Sequence, residues 1–361
     1  MKRTWILVVF LMWGVLGCQS GGPEGQSTPT ETVPTATPTP LVKATPTATH
    51  TPTPTPTSES EDVKWTVVEE RSWLVAELGG FPLSLSPDGR WLLTGGRDGF
   101  CLHATDNPTQ RRCYAPGEKA AMTSTAPGAA AWSPDGQRLA FRTADALWLL
   151  EVENGDPIRL TPLEERVDMA WSPDGEMLAL AGEGVITVAP PGGVAEAPTA
   201  RYRGIIVGLA WAGSTSLVYG VRQGQDFALW QVSTTGGEPR EVWRFPDPNL
   251  RVKETSPDGK VVSLWLTLVD LERGETVEVR KGFLGLEWSP DGRWWLYAYP
   301  IAGLEPLSRL AIRRAESSAK EEQIVWHISS SAPRLLDWTR VDDLVLLCDG
   351  HTVWLLRLAA R

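Results

Sequence analysis

Five aspartates recur in a single setting. Asp88, Asp135, Asp174, Asp258 and Asp291 each stand third in a Ser-Pro-Asp-Gly tetrapeptide, with starts at residues 86, 133, 172, 256 and 289. Carboxylates repeated in this way would suit cation binding or general acid–base chemistry. The tetrapeptide offers a simpler account. Ser suits the first position of a type I turn, Pro has its φ preset for the second, and a left-handed Gly closes a tight reversal between two strands. An Asp that appears once per repeat, always in that turn, reads as turn chemistry. Other reactive groups are sparse. The histidines beyond residue 62 are His103, His327 and His351, and none forms a His-Glu-x-x-His pair or another close metal-ligand set. His50 is given no role. No Gly-x-Ser-x-Gly nucleophile turn is present. No catalytic residue, metal site or cofactor is therefore assigned. Trp294-Trp295 with Tyr297 is denser in aromatics than the repeat requires and is a candidate ligand-contact group, since such rings stack on sugars or peptides.

Cysteine supplies the remaining chemistry. Cys101 and Cys113 flank the polar turn Thr105-Asp106-Asn107-Pro108-Thr109. In a hairpin centred on Asn107 they face each other, and a disulfide there would contribute about 2–4 kcal/mol; two unpaired buried thiols are the alternative. Cys348, within Leu344-Val345-Leu346-Leu347-Cys348, reads as a buried free thiol. Cys18 stands apart. It ends a leader with a basic start, Lys2-Arg3, a short apolar run from Trp5 to Leu16, and a small residue, Gly17. Twelve apolar residues fall short of the roughly 20 that span a bilayer, and the pattern is that of an export signal. Val15-Leu16-Gly17-Cys18 resembles the lipobox of bacterial lipoproteins, which implies cleavage before Cys18 and its diacylation.

These groups must be positioned by elements of two kinds. Residues 28–57 hold 13 Thr and 8 Pro with no apolar period, a composition that cannot bury enough surface to fold and favours an extended polyproline II tether. The chain divides into a signal peptide (1–17), a lipidated Cys with a disordered Thr/Pro-rich linker (18–62) and a folded domain (63–361). Without residues 1–17 the chain has 32 basic and 44 acidic residues, a net charge of −12. That balance argues against a nucleic-acid surface and leaves Cys18 as the membrane attachment.

The folded domain is repetitive. Trp132, Trp171 and Trp288 precede three of the five tetrapeptides, and an apolar run follows most of them, as in Arg90-Trp91-Leu92-Leu93. The 84 residues between the starts at 172 and 256 are twice a period of about 42, and Leu209-Ala210-Trp211-Ala212-Gly213-Ser214 lies midway. Leu335-Leu336-Asp337-Trp338-Thr339-Arg340-Val341-Asp342-Asp343 repeats the pattern near the C-terminus. The count is seven, with six open because the interval from 256 to 289 is short. Each period holds four short strands; in the third repeat these are Val167 to Trp171, Met177 to Ala181, Val185 to Ala189, and an edge near Val194 to Ala197. The last repeat lacks its fourth strand, which Lys64 to Val68 or Trp73 to Ala76 would supply.

Trp-Ser-Pro-Asp-Gly followed by a basic or polar residue and a hydrophobic strand resembles the TolB-like (PD40, WD40-like) β-propeller repeat. The resemblance implies an all-β, single propeller of four-stranded blades, closed here by an N-terminal strand. It covers residues 63–361. The Thr/Pro stalk replaces the N-terminal α/β domain of TolB. The expected function is an extracytoplasmic lipoprotein that binds a protein, peptide or glycan through a propeller face. The alternative is a propeller hydrolase, glycosidase- or lactonase-like, with carboxylates at the channel mouth. Inward carboxylates around a ligand-sized pocket would favour the alternative.

Overall fold

The computed structural model describes residues 63–361 apart from 97–98, 116–129, 144, 154, 163–166, 183, 194–197, 265–266, 278–282, 304–306, 316–321 and 331–332. The export signal, Cys18 and the Thr/Pro linker lie outside the described residues, as does the edge expected at 194–197.

The described strands form seven antiparallel sheets of four. Blade 1 comprises Phe81–Leu85, Trp91–Gly96, Gly99–Ala104 and Arg111–Tyr114; blade 2, Ala130–Trp132, Arg138–Arg142, Ala146–Glu151 and Ile158–Pro162. Blade 3 is Asp168–Trp171, Leu178–Gly182, Val185–Ala189 and Ala200–Arg201; blade 4, Ile205–Trp211, Ser216–Gln223, Asp226–Ser233 and Arg240–Phe245. Blade 5 is Glu254–Thr255, Val261–Ser263, Leu268–Asp270 and Glu275–Val277; blade 6, Leu286–Trp288, Trp294–Pro300, Ser308–Arg314 and Glu322–Ile328. Blade 7 takes Arg334–Trp338, Leu344–Cys348 and Thr352–Ala360 from the C-terminus and Trp65–Leu74 from the N-terminus. This is a seven-bladed β-propeller. The short interval after residue 256 is explained by blade 5, whose strands are only two or three residues long. The fourth described strand of blade 3 is Ala200–Arg201, paired with Val185 and Ile186.

The core follows from the blades. Inner strands are buried on both faces because each sheet is covered by its neighbours, so they read as apolar runs rather than alternations. Seven hydrophobic clusters fill the seven seams; Leu93, Phe100, Leu139 and Phe141 meet between blades 1 and 2, and Leu78, Leu92, Leu346 and Leu355 between blades 7 and 1. The closing strand is one continuous element of ten residues, not a choice between two short ones. It pairs along the nine-residue strand Thr352–Ala360 from Trp65↔Ala360 to Leu74↔Thr352, with a bulge between Val67 and Glu69. Trp65 anchors it, packing edge-on against Trp294 and Trp338 at 6.0 and 5.5 Å. One helical turn, Val75–Leu78, ends at Gly79 in the left-handed region (φ 69°) and leads into blade 1. Among the described residues no helix is long and apolar enough to cross a membrane.

Candidate functional site: the central channel

The turn aspartates hold their own turns. In blade 2, Ser133 Oγ donates to Asp135 Oδ1 (2.5 Å), the Gln137 amide donates to the same oxygen (3.0 Å), and the Arg138 amide donates back to Ser133 Oγ (2.9 Å). The Ser-to-Asp bond recurs in all five tetrapeptides. The Ser172 hydroxyl and the Glu176 amide hold the Asp174 carboxyl below its ordinary value. Gly136 shows why glycine follows: its φ is 73°, and a Cβ there would lie 2.8 Å from Cγ of Asp88 in the preceding blade. The turn is thus also a packing joint.

The turns carry the chain to one end of a central channel. The first strand of every blade lines a cavity of about 580 Å³, within the range of small-ligand sites. Its rim at the turn end carries Pro87, Pro134, Pro173, Pro257 and Pro290, with Gly213 and Arg340 in the equivalent places of blades 4 and 7. Deeper in, the wall differs by sector. The residue just before the repeat tryptophan, or its equivalent, is Ser84, Ala131, Ala170 and Ala210 in blades 1–4 but Glu254, Glu287 and Asp337 in blades 5–7. Three consecutive blades therefore carry an acid at this position; Glu254 and Asp337 line the cavity, whereas Glu287 is buried.

Each acid has distinct surroundings. Glu287 is buried and ion-paired with Lys253 Nζ, which also donates to Leu286 O (3.1 Å) and lies 4.0 Å from Glu254. Burial works against the Lys253 ammonium, yet Glu287 and then Glu254 hold it above the value of a free lysine. Asp337 Oδ2 accepts the Leu85 amide at 2.7 Å, stapling blade 7 to blade 1. Burial pushes the Asp337 carboxyl up to about 7, outweighing the Leu85 amide and Lys253; the residue is half-buried and lines the cavity. Asp168, which is buried, uses Oδ2 to accept the Gly208 amide (2.9 Å) between blades 3 and 4. The pattern has a physical reason. Inner strands of neighbouring blades are not hydrogen-bonded as a sheet, so side chains satisfy the backbone groups that face each seam.

The repeat tryptophans serve the same seams. Trp132 Nε1 donates to Ser84 Oγ, Trp171 Nε1 to Ala131 O and Trp211 Nε1 to Ala170 O, at 2.9–3.0 Å. In blade 5 Thr255 stands in the tryptophan's place and donates to Trp211 O.

The remaining residues singled out in the sequence lie away from the channel. Trp294, Trp295 and Tyr297 are buried in blade 6, a correction to their reading as a ligand surface. Trp294 packs on Trp65 and beneath Arg314, Trp295 on Trp288 and beneath Arg313, and the Tyr297 hydroxyl donates to Glu322; their stacking faces are occupied. Cys101 and Cys113 are register partners in blade 1 and are joined in a disulfide. Cys348 is buried, and burial pushes its thiol up. His103 is buried, donating from Nδ1 to Pro108 O and accepting from Thr94 Oγ1 at Nε2, both at 3.0 Å; burial holds it below the ordinary histidine value. Among the described residues no group of three His, Cys, Asp or Glu is placed to hold a metal ion.

Sequence reasoning missed Glu254, Glu287 and Asp337. The signal was present: aligning the repeats on their tryptophans puts alanine before Trp132, Trp171 and Trp211 and an acid before Trp288 and Trp338.

Fold and repeat together define a β-propeller of seven four-stranded blades. The family model for the WD domain, G-beta repeat matches residues 82–102, which run through the first three strands of blade 1. None of the curated proteins matches the sequence. Among solved structures, an oligogalacturonate lyase in complex with manganese is similar at 11% identity, with a TM-score of 0.57 over 82% of this chain and 98% of that one. TolB from Acinetobacter baumannii is similar at 14% identity, with a TM-score of 0.42 over 74% of this chain and 68% of that one. At 11% identity the likeness to the lyase is one of fold.

Proposed function

We propose that the protein is an exported lipoprotein, anchored through Cys18 and held off the membrane by its Thr/Pro linker, that binds a ligand in the central channel of its propeller. The observation that carries the reading is the asymmetry of the channel. Turn chemistry and seam packing account for the repeat tryptophans, prolines and aspartates; they do not call for Glu254 or Arg340, which depart from the repeat and line the cavity. Binding is favoured over catalysis because Glu287 is engaged by Lys253 and Asp337 by the Leu85 amide. Acid–base hydrolysis of a glycan or lactone needs two disposable carboxyl groups.

A second reading is favoured by one observation: a carboxyl near 7, as at Asp337, exchanges protons readily at neutral pH and suits a general acid. Turnover distinguishes the two. The full chain is incubated with panels of oligosaccharides and lactones; turnover abolished by Glu254→Gln establishes the enzyme, and saturable binding without turnover establishes the binding protein. The anchor is tested separately by Cys18→Ser, which should shift the protein from the membrane to the soluble fraction. Continued sedimentation with membranes refutes it.

A further inference from the structure

The seam between blades 5 and 6 is incomplete. At three other seams the repeat tryptophan donates its indole N–H to the preceding blade. Trp288 occupies the same position, lines the channel and is only 7% exposed, yet its Nε1 has no hydrogen-bond partner among the described residues. Glu254 stands where Ser84 stands at the seam between blades 1 and 2, and its Oε1 is likewise buried without a hydrogen-bond partner. A donor and an acceptor are thus held unsatisfied at the channel wall, an arrangement that is costly unless something in the channel completes it.

The charges point to what that is. Lys253 is bonded to Glu287 and stands 4.0 Å from Glu254 Oε1, too far for a hydrogen bond. Left facing the cavity are Glu254 and Asp337 of one sign and Arg334 and Arg340 of the other. Neither arginine makes an ion pair among the described residues. Arg340 holds the rim position that proline fills in five blades, three residues beyond Asp337. Leu83, Leu284 and Leu336 give the wall an apolar stretch. The lining therefore offers an acidic patch, a neutral donor, an apolar wall and a basic rim.

Resting on the channel-binding reading, we propose that the ligand is a short peptide with free termini. Its ammonium sits on Glu254 beside Asp337, a backbone carbonyl accepts the Trp288 N–H, and its carboxylate meets Arg340 at the rim. Burial that keeps Asp337 easily protonated leaves Glu254 as the principal anionic partner.

The test is calorimetric titration of the full chain at low salt with five probes: trialanine, N-acetyl-trialanine amide, 8-aminooctanoate, 1,8-diaminooctane and octanedioate. Trialanine should bind saturably, and blocking its termini should weaken it by roughly ten- to hundredfold, the value of charge-assisted hydrogen bonds. Glu254→Gln and the exposed-site variant Arg340→Gln should each weaken trialanine by about tenfold. Trp288→Phe should weaken trialanine but leave 8-aminooctanoate, which has no mid-chain carbonyl, unchanged. Equal binding of free and blocked trialanine, or binding indifferent to Glu254→Gln and Arg340→Gln, overturns the inference. Binding of octanedioate or 1,8-diaminooctane alone, lost in either channel variant, also overturns it while leaving the channel as the ligand site. If no probe binds in a manner that any channel variant alters, the peptide inference falls, and the channel reading is judged by its own binding and turnover panels.

Discussion

Replacing Asp337 by asparagine should make the propeller more stable in mild alkali, with an advantage that shrinks as pH falls toward 4. Asp337 donates nothing that asparagine lacks, since its bond to blade 1 is an acceptor oxygen facing the Leu85 amide at 2.7 Å, and an amide carbonyl keeps it. The difference lies in charge. Burial raises the carboxyl from 3.8 to about 7 in the folded protein, with Lys253 and Glu254 from blade 5 and Glu287 from blade 6 as its charged neighbours. A carboxyl raised in the folded state contributes its full stability below about pH 4, where both states are protonated, and loses it as pH rises through about 7. At 1.36 kcal/mol per pH unit the full displacement corresponds to roughly 4 kcal/mol. Channel water screens the group, which brings the expected effect to roughly 1–3 kcal/mol. Urea denaturation at pH 5 and pH 8 measures it: the advantage of Asp337→Asn over the parent should be small at pH 5 and distinctly larger at pH 8. A variant less stable at pH 8, or an offset independent of pH, would refute the assignment of a half-buried, ionisable staple.

Other outcomes follow from the same structure. Replacing Cys101 and Cys113 together by alanine should cost about 2–3 kcal/mol, read as a lower denaturation midpoint, and should remove any effect of reductant on the parent. Trp65→Ala, which removes the anchor of the closing strand, should cost about 3–5 kcal/mol in the same assay; a loss under 1 kcal/mol would mean that the strand contributes little to closure. Asp342 holds the left-handed position that glycine fills in the five Ser-Pro-Asp-Gly turns, at φ 61°, so Asp342→Gly should raise stability by about 1 kcal/mol despite losing an exposed ion pair with Arg357. Trp171→Phe should cost about 1 kcal/mol more than Trp288→Phe, because only the first indole N–H has a protein partner.

The repeat made most of the architecture legible. Ser-Pro-Asp-Gly encodes its turn locally, and the tryptophans before it mark the end of each inner strand, so blade number, hairpin positions and N-terminal closure could be read without coordinates. Blade 5 obscured the count because Thr255 replaces the tryptophan and its strands are short. The closing strand looked like two pieces because Glu69, Glu70 and Arg71 interrupt its apolar pattern; these residues lie on an outer edge strand, where one face is in solvent. The channel was harder. Its acids are conspicuous only as departures from alanine at one repeat position, and which of them is engaged depends on partners far away in sequence, such as Lys253 for Glu287 and Leu85 for Asp337. Conversely, the density of Trp294, Trp295 and Tyr297 suggested a surface because density alone cannot distinguish a face from a seam. Inner strands are covered on both sides, so aromatics there are core.

The most direct test of the account is where the natural ligand touches the protein. A benzophenone photocrosslinker in place of Leu284, on the channel wall, and in a second protein in place of Ile158, exposed at the outer edge of blade 2, is irradiated in intact native cells. Channel binding predicts an adduct from position 284 and none from position 158. An adduct at 158 alone, or none at 284, would contradict it.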